Sequence, residues 1–257
     1  MYFDTHAHYD SSHFDADRHE LLASMPDAGV DCIIDPGCDE ASSRAAIALA
    51  ERYPFVYAAV GWQPEEWESW DCGSEALVRE LARHPKCVAI GEIGLDYYWD
   101  KEEEVQKNQR IWFRRQLELA KESNLPVIIH SRDAAADTME IMKEAYVQGI
   151  KGVIHCFSYS KEQAQEYVKM GYYIGVGGVA TFKNAKKLKE VIETIPLEKI
   201  LLETDCPYMA PEPYRGKRNS SLYLPYVVEK IAGLKGVTAK EVEEVTYRNA
   251  EQLFLGK

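Results

Sequence analysis

Five strand-like segments of this 257-residue chain each place a metal-binding side chain at or near their C-terminal end. They are Phe3-Asp4-Thr5-His6-Ala7-His8, Val88-Ala89-Ile90-Gly91-Glu92, Val127-Ile128-Ile129-His130, Val153-Ile154-His155 and Leu201-Leu202-Glu203-Thr204-Asp205. In a barrel of parallel strands the C-terminal ends converge on one mouth, so residues distant in sequence can meet around one ion cluster. His6, His8, His130, His155, Glu92 and Asp205 together fit one or two divalent ions. The pattern reads as a metal-dependent hydrolase.

Strand patterns at 2–8, 30–35, 55–60, 87–93, 126–130, 151–155, 171–176 and 199–204 alternate with helical ones. The helices are expected near 15–28, 40–52, 74–83, 102–123, 132–147, 161–169, 184–194 and 222–233, with an extra C-terminal helix near 239–254. Eight strand–helix alternations predict an α/β protein with a single (β/α)8 TIM-type barrel. The strands are nearly continuous in apolar residues, as expected where both faces are buried. On 102–123, Ile111, Trp112, Leu117, Leu119 and Ala120 are expected to face the core. No linker or repeat interrupts the pattern, so residues 1–257 are expected to form one domain. An open doubly wound sheet is the alternative, but barrel closure is what brings the first and last strands together.

The net charge of −12 argues against non-specific nucleic-acid binding over the whole surface, though not against a locally positive mouth. The N-terminus opens on a strand pattern, so no signal or transit peptide is expected. No apolar run reaches transmembrane length. The six cysteines form no C-x-x-C pair, which fits buried thiols in a reducing cytoplasm better than a zinc thiolate site.

His6 and His8 share one side of an extended segment. A lone H-x-H is a weak signal, and taken alone an ordinary polar strand end explains it better. Glu92, in Ala89-Ile90-Gly91-Glu92-Ile93-Gly94, needs a cationic partner or a metal in so apolar a context. His130 and His155 end successive apolar strands at equivalent positions. Asp205 is open to two roles: a turn cap near Pro207, or a metal ligand that also takes a proton from water. Glu203 has the same strand parity one pleat deeper and is expected to be structural.

Taken together these segments resemble the TatD family of metal-dependent deoxyribonucleases, within the wider amidohydrolase-like barrels. The resemblance rests on Asp4-Thr5-His6-Ala7-His8, Gly91-Glu92-Ile93-Gly94-Leu95-Asp96-Tyr97, Pro126-Val127-Ile128-Ile129-His130-Ser131-Arg132, His155-Cys156-Phe157-Ser158 and Glu203-Thr204-Asp205-Cys206-Pro207-Tyr208. Tyr214-Arg215-Gly216-Lys217-Arg218-Asn219 and Asn249-Ala250-Glu251-Gln252-Leu253-Phe254 also match, so it spans nearly the whole chain. It implies two divalent ions. One would be held by His6, His8, Glu92 and Asp205, the other by Glu92, His130 and His155. Magnesium, manganese and zinc all remain open as the metal. Where the family usually has a histidine, this chain reads Gly61-Trp62-Gln63-Pro64, and Gln63 is neither an acid nor a good metal ligand.

Two basic loops follow the last two strands, with Lys183, Lys186, Lys187 and Lys189 in one and Arg215, Lys217 and Arg218 in the other. Loops at these places in a barrel frequently hold phosphate, so Arg215, Lys217 and Arg218 are the candidate phosphate contacts. Trp62, Trp67, Tyr97, Tyr98 and Trp99 follow strands three and four, where packing and base stacking compete as explanations. The reading is a cytoplasmic deoxyribonuclease acting on single-stranded DNA or strand ends, with Asp205 and Glu92 as catalytic groups. No membrane association and no obligate protein partner are expected. A barrel hydrolase of a small ester, lactone or amide is the enzymatic alternative. A metal-binding interaction protein without turnover is the non-enzymatic one.

Overall fold

The computed structural model describes residues 1–256. The chain folds as a (β/α)8 barrel whose eight parallel strands run in the sheet order β1-β2-β3-β4-β5-β6-β7-β8. It divides into two compact units, one made of Met1–Asp35 with the chain from Cys156 onward, the other of Pro36–His155. Among the described residues, no helix is long and apolar enough to cross a membrane.

The first unit holds β1 (Tyr2–Asp4), most of β2 (Val30–Pro36), β7 (Tyr173–Val176) and β8 (Ile200–Leu202), with α1 (Arg18–Ser24) between the first two strands. β1 pairs with β2 and β7 pairs with β8, both in parallel. The last strand also returns to the first. Thr5 N donates to Leu202 O at 3.0 Å, Ala7 and Cys206 form a parallel bridge, and His8 N donates to Cys206 O at 2.9 Å. Helices α6 (Lys161–Lys169), α7 (Lys186–Thr194), α8 (Leu224–Lys235) and α9 (Ala239–Ala250) complete this unit, the last running into a wider turn at Glu251–Leu255. α6 begins in a Ser160/Gln163 capping box, and α8 ends at Gly236, whose φ of 68° stops the helix in a left-handed turn.

The second unit holds β3 (Val56–Val60), β4 (Cys87–Asp96), β5 (Val127–Arg132) and β6 (Gly152–Ile154), paired in parallel in that order. α2 (Glu40–Arg52) and α3 (Cys72–Leu81) each start in an aspartate–serine capping box. They are followed by α4 (Glu103–Ser123) and α5 (Ala135–Val147). On α4 the expected core face is partly corrected. Leu117, Leu119 and Ala120 are buried, but Ile111 is 48% exposed and Phe113 takes a buried place instead. Gln116, also buried, grips Trp62 through both backbone groups, at 2.7 and 2.9 Å. All ten residues of β4 are buried, including two carboxylates, Glu92 and Asp96. Between them, Gly94 lets β5 approach closely, because a Cβ there would lie 1.9 Å from His130 O.

Candidate metal centre

Two clusters of imidazole and carboxylate form, one in each unit. In the first, His6 Nε2 and His8 Nε2 lie 3.0 Å apart, and Asp205 Oδ1 is 3.8 and 3.6 Å from them. The three ligand atoms all fall within 4.8 Å of one another. His6 is fully buried, while the side chains of His8 and Asp205 keep 13% and 17% exposure. That geometry gives a cation three converging donors and one wet side. None of the three lies inside a strand. They sit just past the ends of β1 and β8, where Asp205 N donates to His6 O at 2.9 Å and Asp205 takes a left-handed φ of 55°. Tyr208 N bonds the backbone oxygen of Asp205, so the carboxylate faces the imidazoles rather than capping that turn.

Beneath this cluster lies a carboxylate to which the sequence reading gave no role. Asp4 accepts from Ser221 Oγ at 2.6 Å, Thr204 Oγ1 at 2.7 Å, Thr204 N at 3.0 Å and His6 N at 3.3 Å. Burial pushes its pKa up to about 6 despite those four donors. Asn219 donates to Thr204 O and Tyr208 O, at 2.8 and 2.7 Å, and Ser221 N donates to the Tyr9 hydroxyl at 2.9 Å. These buried bonds fix the backbone that carries His6 and Asp205.

In the second cluster, Glu92 Oε1 lies 2.8 Å from His130 Nδ1 and 2.9 Å from His155 Nε2. His130 Nε2 is 3.0 Å from Asp96 Oδ2. Burial alone would depress the His130 imidazolium, but its hydrogen bonds to Asp96 and Glu92 outweigh that and raise its pKa to about 10. For Asp96, burial works against the charged form, and the His130 bond overturns it, leaving the carboxyl below its ordinary range. Asp96 Oδ1 accepts from Tyr98 N at 2.9 Å and Trp99 N at 3.3 Å, and Asp96 N donates to Gln109 Oε1 at 3.0 Å. The sequence reading passed over Asp96. Its strand parity, shared with Glu92, is the signal that points to it.

Glu203 has the structural place expected of it. Its Oε1 accepts from Cys156 N at 2.6 Å, holding the backbone just after His155. Gly175 makes room for it, since a Cβ there would meet Glu203 Oε2 at 2.3 Å. Gln63 starts a short helical turn without a side-chain cap, its amide bonded to Cys38 O at 2.9 Å. The three candidate phosphate contacts differ. Arg218 forms a two-point ion pair with Asp17 at 2.8 and 2.5 Å, donates to His13 O at 2.9 Å and lies 4.8 Å over Phe14. Arg215 and Lys217 are exposed, lying 4.3 Å over Phe182 and 5.7 Å over Tyr214. Of the earlier lysines, Lys189 is tied to Phe182 O at 2.5 Å, while Lys183, Lys186 and Lys187 are exposed.

Known proteins share this arrangement of strands and motifs. A family model described as TatD related DNase matches residues 3–255. The chain is 46% identical over 255 residues to the metal-dependent hydrolase YabD of Bacillus subtilis, covering 99% of each. It is 34% identical over 258 residues to the 3'-5' ssDNA/RNA exonuclease TatD of Salmonella typhimurium, covering 98% of each. Among solved structures, the TatD homolog YjjV of Escherichia coli superposes with a TM-score of 0.92 at 34% identity, over 99% of this chain and 98% of that one.

Proposed function

This chain belongs to the TatD-related DNase family of metal-dependent hydrolases, and from that premise we propose that it is a deoxyribonuclease releasing nucleotides from DNA strand ends. The observation that carries the reading is the convergence of His6, His8 and Asp205 on one point. The exonuclease name of a relative 34% identical over nearly the full chain supports the substrate class.

In this reading each cluster would hold one divalent ion, with His6, His8 and Asp205 as its ligands in the first and Glu92, His130 and His155 in the second. Such ions acidify a water and polarise a phosphoryl oxygen. Asp205, partly exposed, accepts the proton of the attacking water. His6 and His8 would be the first ion's imidazole ligands, with the Asp4 network holding the backbone of His6. Glu92 keeps His130 and His155 in register through one oxygen, and Asp96 orients His130 from its other nitrogen. Arg215 and Lys217 contact substrate phosphate, while Arg218 braces their loop against Asp17. The buried thiols of Cys32, Cys87 and Cys206 suit a cytoplasmic setting.

The test is a metal-replete screen of 5′- and 3′-labelled single-stranded DNA, duplex DNA, RNA and simple esters. Stepwise release from single-stranded ends is expected, with the labelled end giving the polarity. Turnover of esters alone would move the assignment to a small-substrate hydrolase. Metal binding without turnover of any substrate would move it to a binding protein.

A further inference from the structure

Beside the second cluster the structure leaves two large aromatic rings in solvent. Trp99 is 61% exposed and Tyr98 41%, with ring centroids 4.7 Å apart and planes at 85°. The Arg132 guanidinium lies 3.8 Å over the Tyr98 ring and 5.5 Å from that of Trp99. The other aromatic residues in question behave differently. Trp62 is buried and packs edge to face on Trp70, Trp67 is half-buried, and the Tyr97 hydroxyl donates to Asp137 at 2.7 Å. Packing accounts for those residues and does not account for Trp99.

The pair is rigidly mounted on the candidate site. Both its backbone amides bond Asp96, whose other oxygen meets His130. Arg132 closes β5 two residues after His130, in register with Asp96, and its carbonyl accepts from Tyr97 N at 2.8 Å. Over the Tyr98 ring, the exposed Arg132 guanidinium is a cation of the kind that suits a phosphate. An exposed indole beside a cation matches a ligand that is planar and anionic.

We propose that Trp99, Tyr98 and Arg132 form a subsite that stacks one unpaired base of a single-stranded nucleic acid on the indole and holds its neighbouring phosphate on the guanidinium. The inference rests on the nuclease reading and names how that site selects unpaired strands. A base inside a duplex has both faces covered, so only an unpaired or terminal base can fill the subsite.

The experiment uses the metal-replete protein and two phosphorothioate-linked eight-residue strands that resist cleavage, one of thymidines and one abasic. Intrinsic tryptophan fluorescence and Kd are read for each. The thymidine strand is expected to quench fluorescence and the abasic strand is not. Trp99→Ala should remove the quench and raise Kd for the thymidine strand roughly five- to a hundredfold, towards the abasic value. Trp99→Phe should restore affinity without the quench. Arg132→Ala should weaken both strands alike and flatten the salt dependence. A folded Trp99→Ala protein that binds both strands as the wild type does overturns the subsite. Because binding is read without cleavage, a failure to hydrolyse DNA sinks the nuclease reading alone.

Discussion

His6, His8 and Asp205 come from just past the first and last strands, whereas Glu92, His130 and His155 come from three successive strands in the middle of the chain, in or just past each. The first group is organised by its backbone. Asp4, Thr204, Asn219 and Ser221 tie down the residues between and below the ligands, and Asp205 stays 3.6 to 3.8 Å from the imidazoles. The second group is organised by its side chains, with three imidazole–carboxylate contacts of 2.8 to 3.0 Å. Rigidity of the frame and rigidity of the contacts are two ways of holding the same donor types. They differ in what a single substitution should break.

The largest effect is expected from Glu92→Ala, because one oxygen serves both histidines. Hydrolysis should fall by roughly 10³-fold or more, and elemental analysis should find metal lost. His13→Ala and His19→Ala, both at exposed positions, should leave metal content unchanged. Full metal content in a folded Glu92→Ala protein would erase the contrast between the clusters. Asp205→Asn comes next. It should stay folded, retain more metal than Glu92→Ala and lose about 10²–10⁴-fold in kcat, since the amide keeps the shape but not the basicity. Wild-type turnover at saturating metal would exclude Asp205 as the base.

The two supporting carboxylates sharpen the comparison further. Asp96→Asn should lower kcat/KM or metal affinity by roughly 10–100-fold, because it acts on His130 directly. An effect within twofold would mean that His130 needs no orientation from Asp96. Asp4→Asn should act on stability instead, costing about 1–3 kcal/mol as an amide meets donors that the carboxylate accepted. That corresponds to a Tm lower by roughly 2–4 °C per kcal/mol in a chain of this size. The sign of its pH dependence follows from burial. The folded pKa of about 6 lies above the unfolded value, so Asp4 stabilises most when protonated and this contribution fades as pH rises through about 6. The Tm gap between wild type and Asp4→Asn should therefore narrow from about pH 4 upward. A gap constant with pH would show that the Asp4 charge is compensated by its donors.

The elements were legible because their causes are local. An unbroken apolar run between helical periods marks a buried parallel strand, and α2 and α6 begin and end where their patterns do, at 40–52 and 161–169. The candidate ligands were legible because each stands at or near the C-terminal end of a strand-like segment. Asp96 was missed because β4 continues four residues beyond Glu92, and a local reading ends the strand near the first charge. The Arg218–Asp17 pair could not be read at all, since its partners stand 201 positions apart and the sequence of either loop contains no trace of the other. Ile111 shows the converse. Periodicity placed it on an apolar face, but which edge of that face is covered depends on neighbouring helices.

On the proposed roles, the long span of the first cluster ties hydrolysis to the synthesis of the chain through Asp205. A ribosome that has reached His155 has already delivered every member of the second cluster, yet it has supplied only two of the three residues that meet at the first. His6 and His8 wait through most of translation for Asp205, and the Asp4 network waits longer, for Ser221. With those roles, a polypeptide stalled before Asp205 lacks the base and cannot cut DNA in its surroundings. Enzymatic competence then arrives in the last fifth of the chain.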